Sequence, residues 1–264
     1  LKKRILSAIV LLTVTFSCIL LSEISRVLFF AAAGLLCSYE LSRNLETLDI
    51  YCCAWVMYTH VLLQAVLALL HAPAVLCIAA LALAIYLAMF SGILHRKVSG
   101  PGAFYTCSGV AYPGFLFVLL MRISVTDLWQ QTLLIGAAST WICDSAALFG
   151  GMRFGKHPLA PLVSPKKTVE GCLCGALSSL LSGALLYLVF PQIPLWVCLL
   201  TSFLASSMGQ VGDLAESLVK RMIGVKDFSN LIPGHGGMFD RADSLLFSIP
   251  TTYLCLYLAQ PLFR

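Results

Sequence analysis

The residues best suited to chemistry lie between positions 209 and 243. The first block reads Gly209-Gln-Val-Gly-Asp213-Leu-Ala-Glu216-Ser217-Leu-Val-Lys220-Arg221. In a helix, Asp213, Glu216, Ser217 and Lys220 fall at i, i+3, i+4 and i+7, hence on one face. Leu214, Leu218 and Val219 take the other positions. An interfacial helix with a snorkelling lysine and ordinary i, i+4 pairs would carry the same stripe. The second block holds Lys226-Asp227, then Pro233-Gly234-His235-Gly236-Gly237, then Asp240-Arg241-Ala242-Asp243. A proline among three glycines is unfit for a helix interior and suits a tight turn that aims backbone N–H groups at an anion. Asp240 and Asp243, at i, i+3, open a new helix. Hard carboxylates beside a phosphate-binding turn are the usual holders of Mg²⁺. Helix capping is the other reading for those two aspartates. For His235, a hydrogen bond that fixes the turn is favoured over metal ligation.

Two further groups extend the set. Asp144 lies inside the apolar run 128–150. An aspartate there faces a cavity or a partner, because an unpaired charge in a membrane is costly. Ser164-Pro165-Lys166-Lys167-Thr168 is rich in donors for phosphate, and its proline and nearby Gly171 point to a shaped loop. A plain basic flank of a membrane helix is the alternative there. Carboxylates for a metal, lysines and arginines for phosphate, and glycines for close approach compose a site for phosphoryl or nucleotidyl transfer. Its place at a membrane face implies a lipid as one substrate and a cytoplasmic nucleotide as the other.

The elements that must position these groups are membrane helices. The chain has 264 residues, of which 59% are hydrophobic and only 11% charged, with mean hydropathy +0.92. Soluble domains carry about a quarter charged residues, so the expected class is an all-α polytopic membrane protein. About nine transmembrane helices are expected, at 5–21, 27–41, 50–70, 74–94, 104–121, 128–150, 171–190, 195–211 and 244–262. The second is the shortest. With nine spans, fourteen of the 17 Lys and Arg fall on one side, leaving Arg26, Arg122 and Arg264 on the other. The positive-inside rule then places the N-terminus and the active-site loops in the cytoplasm and the C-terminus outside. Residues 1–125 read as membrane scaffold and a dimer interface, and 126–264 as the catalytic membrane region. The Leu-Lys-Lys-Arg start and following apolar run are expected to stay attached, since no small-residue cleavage site follows. Eleven cysteines scattered through apolar runs, without CxxC, read as packing residues. The net charge of +5 reflects cytoplasmic loops, and no aromatic-interleaved basic patch suggests nucleic acid.

At its polar residues the chain resembles the phosphatidate cytidylyltransferases, or CDP-diacylglycerol synthases. The family signature is matched by Ser217, Lys220-Arg221, Lys226-Asp227, Pro233-Gly-His235-Gly236-Gly237 and Asp240-Arg241-Ala242-Asp243. Asp144-Ser145, Phe154-Gly155-Lys156-His157 and Ser164-Pro165-Lys166-Lys167-Thr168 also match family blocks. Ala242 stands where a larger apolar residue is usual, and Ala146 and Leu148 stand where Gly and Tyr are common. The resemblance implies that CTP and phosphatidate give CDP-diacylglycerol and pyrophosphate, with Mg²⁺ as cofactor and a homodimer of nine-helix subunits. It implies metal carboxylates at Asp213 and Asp240 and catalytic lysines at Lys220 and Lys226. Substrate contacts are expected from Asp144, Ser164, Lys166, Lys167, Arg221, Asp227, His235, Gly236, Gly237, Arg241 and Asp243. A CTP-dependent lipid kinase, or a cytidylyltransferase for another lipid phosphate, remains the alternative. A transporter is disfavoured because the polar residues gather at one face.

Overall fold

All nine apolar stretches are helical in the structure, a computed structural model describing residues 2–94, 98, 100–232, 234 and 236–263, with side chains from residue 9. Seven described helices are long and apolar enough to cross a membrane; Ile9–Leu21 and Ala54–Leu69 are shorter apolar helices. The protein is a multi-pass membrane protein. Its chain forms two compact units, one of Leu1–Val125 with Ile223–Arg241, the other of Thr126–Met222 with Ala242–Arg264.

The first unit contains α1 (Lys2–Leu21), α2 (Glu23–Glu46), α3 (Ala54–Leu69), α4 (Ala74–Leu94), α5 (Gly100–Gly109) and α6 (Leu116–Ser124). The expected 27–41 helix proves to be the 24-residue α2. Ser22 starts it early, accepting from Ser25 N while the Ser25 hydroxyl accepts from Ser22 N. That reciprocal cap satisfies two donors that a helix start leaves orphaned. The expected 50–70 helix is shortened to α3, because Cys53 N donates to Thr106 Oγ1 (2.9 Å) instead of entering a helical ladder. The 104–121 stretch is not one regular helix. Pro113 lies in a π-helical turn, Val110–Phe115, that joins α5 to α6, and Tyr112 leaves helical geometry. Proline has no N–H to give and crowds the preceding turn, which is a common cause of such a break. A core of Cys53, Val56, Met57, Ala84, Ala88, Val98, Ala103 and Val110 closes α3 and α4 on α5.

The second unit contains α7 (Trp129–Phe154), α8 (Val169–Val189), α9 (Leu195–Met222 of a helix that runs to Ile223) and α11 (Leu245–Ala259). A short α10 (Phe239–Ala242) precedes α11 in the chain. Small residues let α7 and α8 approach closely. A Cβ on Gly175 would lie 2.8 Å from Cys143 O, and one on Gly171 2.7 Å from Ala147 O. Such small-residue seams are how membrane helices gain van der Waals contact without a hydrophobic drive between them. Between α7 and α8 the chain is not a plain loop. It forms an antiparallel hairpin of β1 (Pro158–Ala160) and β2 (Ser164–Thr168), the only two strands among the described residues. Thr168 then caps α8 by accepting from Gly171 N. Glu170 ties the hairpin's start to α8: its Oε2 accepts from Lys156 N and His157 N, and Oε1 lies 2.5 Å from His157 Nδ1.

The helix beginning at Leu195 has 29 residues. At 1.5 Å per residue it is about 44 Å long, well beyond a hydrocarbon core of about 30 Å. Its apolar part is long enough to fill that core, which leaves the turns from Asp213 to Lys220 as a polar helical extension. This is the continuation that the i, i+3, i+7 spacing required.

Candidate active site

In the second unit, α9 supplies Asp213, Glu216 and Lys220 from one face. Asp243, just after α10, completes a carboxylate trio whose ligand atoms all lie within 4.8 Å of one another. Glu216 is fully buried, and its Oε2 sits 2.5 Å from Lys220 Nζ. A buried carboxylate needs such a partner, because desolvation without one costs several kcal/mol. Asp213 Oδ2 takes Lys167 Nζ at 2.5 Å, and Asp213 Oδ1 receives a long 3.5 Å bond from Ser217 Oγ. On β2, whose pairing with β1 is irregular, Lys167 is half-buried while Lys166 is exposed. Asp144 of α7 joins electrostatically, interacting with Asp213 and Lys167; Asp243 interacts with Asp213, Lys220 and Asp144. Glycine makes room for this gathering. A Cβ on Gly212 would lie 2.6 Å from Asp243 O.

Arg221, expected to bind substrate, donates its Nε to Val163 O (3.1 Å) in the β1–β2 connection. It thereby braces the hairpin that carries Ser164, Lys166 and Lys167. Ser164 opens β2 and is half-buried.

The remaining expected residues belong to the first unit. Lys226, Asp227 and Arg241 are exposed. Gly234 and Gly236 have φ of 79° and 80°, left-handed backbone that only glycine adopts without strain. Ile232 N donates to Gly236 O (2.9 Å), closing the turn that the proline and glycines signalled. His235 and Pro233 lie outside the described residues. Asp240 is buried, and its Oδ2 accepts from Phe228 N (2.9 Å) and Gly237 N (2.8 Å). It ties the loop across itself, accepting from two N–H groups that lie outside α10.

Two groups escaped the sequence reading. Glu216 was seen in the polar stripe but not assigned to the site. Glu40, on α2, was passed over with the scaffold, although an acidic residue inside an apolar span is a flag in itself. Its carboxylate accepts from Ser229 Oγ (2.6 Å), Met238 N (2.9 Å) and Phe239 N (3.0 Å).

Carboxylates beside lysines, at the polar end of a long apolar helix, suit a membrane protein that handles phosphate groups. Comparison with known proteins narrows the class: the chain belongs to the cytidylyltransferase family, whose model matches residues 2–259. It is similar to the phosphatidate cytidylyltransferases of Staphylococcus saprophyticus, at 35% identity over 178 residues, and Staphylococcus haemolyticus, at 34% over 177, each match covering 67% of both chains. The corresponding Staphylococcus aureus protein is 35% identical over 168 residues, 63% of this chain and 64% of that one.

Proposed function

We infer that this protein is a phosphatidate cytidylyltransferase, making CDP-diacylglycerol and pyrophosphate from CTP and phosphatidate. One observation carries the reading: Asp213, Glu216 and Asp243 converge within 4.8 Å, with Lys167 and Lys220 already paired to two of them. An oxygen of the lipid phosphate attacks the α-phosphorus of CTP. The bond from that phosphorus to the pyrophosphate oxygen breaks, and pyrophosphate departs with the electron pair. A phosphomonoester is ionised at neutral pH, so no protein base is required. The protein's work is charge neutralisation and alignment.

The trio fits Mg²⁺, being all carboxylate oxygen, as that ion prefers. Asp213 and Asp243 would hold it with Glu216 behind them. The resemblance supports Asp240, in the Asp-Arg-Ala-Asp run, as a second metal carboxylate. Bound there, the cation would neutralise charge on the phosphates of CTP. Lys167 and Lys220 would transfer their hydrogen bonds from carboxylate to phosphate. The resemblance supports Lys166, Lys226 and Arg241 as further positive charge and Ser164, Asp144, Asp227, His235, Gly236 and Gly237 as substrate contacts. Arg221 contributes by holding the hairpin. The Lys and Arg bias supports a cytoplasmic N-terminus and active site and an outward C-terminus. The resemblance supports a homodimer.

The test uses purified protein in detergent with Mg²⁺, phosphatidate and CTP labelled at either the α- or the γ-phosphorus. Label from the α position should enter the lipid with release of pyrophosphate. Entry of the γ label with release of CDP would instead establish a lipid kinase. No transfer to phosphatidate, with transfer to another lipid phosphate, would move the substrate.

A further inference from the structure

The polar loop of the first unit is held by a helix that carries none of the family motif. Glu40 is 2% exposed. Its Oε1 accepts from Ser229 Oγ and Met238 N, and its Oε2 from Phe239 N. One turn further along α2, Asn44 Nδ2 donates to Phe228 O at 2.7 Å. The two residues share a face at i, i+4, and they grip the loop at both ends, at 228–229 and at 238–239. The fit is close. A Cβ on Gly237 would stand 2.5 to 2.7 Å from the Glu40 carboxylate, so the glycine is needed for the approach. The loop is also tied across itself. Asp240 Oδ2 joins Phe228 N to Gly237 N, and the Phe228 and Phe239 rings stack at 4.6 Å.

Met238 N and Phe239 N are the donors at the start of α10, where helical hydrogen bonding leaves N–H groups without intrahelical partners. Glu40 therefore does from a distant helix what an N-capping side chain does locally. It sets where α10 begins and so how Asp240 and Arg241, on its first turn, are aimed. We propose that Glu40 is a positioning residue for nucleotidyl transfer, acting through the 228–241 loop and touching neither substrate. The proposal rests on the function inferred above. It assigns the α2 helix a part in the reaction that neither its hydrophobic sequence nor the family motif announces.

Glu40→Gln and Glu40→Ala, in the full chain in detergent, test it against wild type. Three quantities are read: amide hydrogen exchange over 236–240, kcat and KM for CMP transfer, and the thermal midpoint. Glutamine keeps the reach but turns an NH₂ toward one of the donors. Protection at 238–239 should fall in both variants and further in alanine. Misplacement of a catalytic loop by about 1 Å can cost about 100-fold. Accordingly kcat should fall about 100-fold in Glu40→Ala and about 10-fold in Glu40→Gln, with the thermal midpoint of the glutamine variant close to wild type. Unchanged exchange at 238–239 overturns the proposal. So does lost protection with kcat per folded molecule unchanged, the signature of a purely structural staple. Should alanine fail to fold, the glutamine variant decides alone. Wild type that makes no lipid-linked CMP sinks the inferred function, whereas the exchange arm reports on Glu40 regardless.

Discussion

Replacing Lys167 with methionine removes a charge while keeping most of the side chain's length, and its neighbour Lys166 supplies the control. Lys167 Nζ lies 2.5 Å from Asp213 Oδ2, with the two side chains 30% and 29% exposed. At that exposure solvent screens the pair, and its worth to stability is about 1 kcal/mol at most. The thermal midpoint should therefore move little. Catalysis should suffer more. If Lys167 passes from Asp213 to a phosphate, Lys167→Met forfeits a charge-assisted hydrogen bond of about 1.5–3 kcal/mol. That is roughly 10- to 150-fold in kcat/KM. Lys166 is exposed on the same strand, so Lys166→Met should cost less than about fivefold, the yield of a screened charge. A second readout has the opposite sign. Lys167 competes with a cation for Asp213, so its removal should tighten Mn²⁺ binding without nucleotide, by up to about fivefold. Calorimetry with Mn²⁺ and steady-state CMP transfer check both. The reasoning is refuted if Lys166→Met is as damaging as Lys167→Met. It is equally refuted if Mn²⁺ binds more weakly to Lys167→Met.

Asp240→Asn separates charge from architecture. An asparagine oxygen in the place of Oδ2 can still accept from Phe228 N and Gly237 N, so the melting midpoint should stay within about 2 °C. A fall in CMP transfer of more than about 100-fold would mark Asp240 as a metal or phosphate group, as Asp213→Asn should show in parallel; near-normal turnover would leave it a loop-builder only. Gly175→Val tests the α7–α8 seam. Its Cβ has Cys143 O at 2.8 Å and Ala147 Cβ at 3.0 Å, so the helices must part, at a cost of about 1–3 kcal/mol. The detergent melting midpoint should drop, whereas Leu177→Val, on an exposed position of the same helix, should leave it nearly unchanged.

What the sequence made legible follows from which interactions are local. Apolar runs of spanning length report on the bilayer directly. The face shared by Asp213, Glu216 and Lys220 follows from helical periodicity alone, and one of its pairs, Lys220 with Glu216, is i, i+4. The glycine turn was legible for the same reason, since positive φ at Gly234 and Gly236 is a property of single residues. Breaks were harder. Pro113 was present to be read, but its neighbours are so apolar that hydrophobicity suggested one continuous span. The β1–β2 hairpin was seen only as a shaped loop, because Ser-Pro-Lys-Lys-Thr has poor strand propensity and its pairing is set by the register with Pro158 and Ala160.

Long-range pairing escapes a reading of periodicity, and the site's polar groups divide along that line. Lys167 and Asp213 are 46 residues apart; Glu40 lies 189 residues from Ser229 and 199 from Phe239. Periodicity says which face a residue occupies, never which other face it meets. For a buried charge, however, the cost of desolvation supplies the missing inference: it must have partners somewhere. Applied to Glu40, that rule demands donors from a distant segment with N–H groups to spare. The Gly236–Phe239 stretch, a helix start whose first donors have no intrahelical acceptors, is the kind of segment that can meet the demand. An isolated acid in an apolar helix and a glycine-rich helix start elsewhere are thus two halves of one observation, each with an unsatisfied need that the other answers.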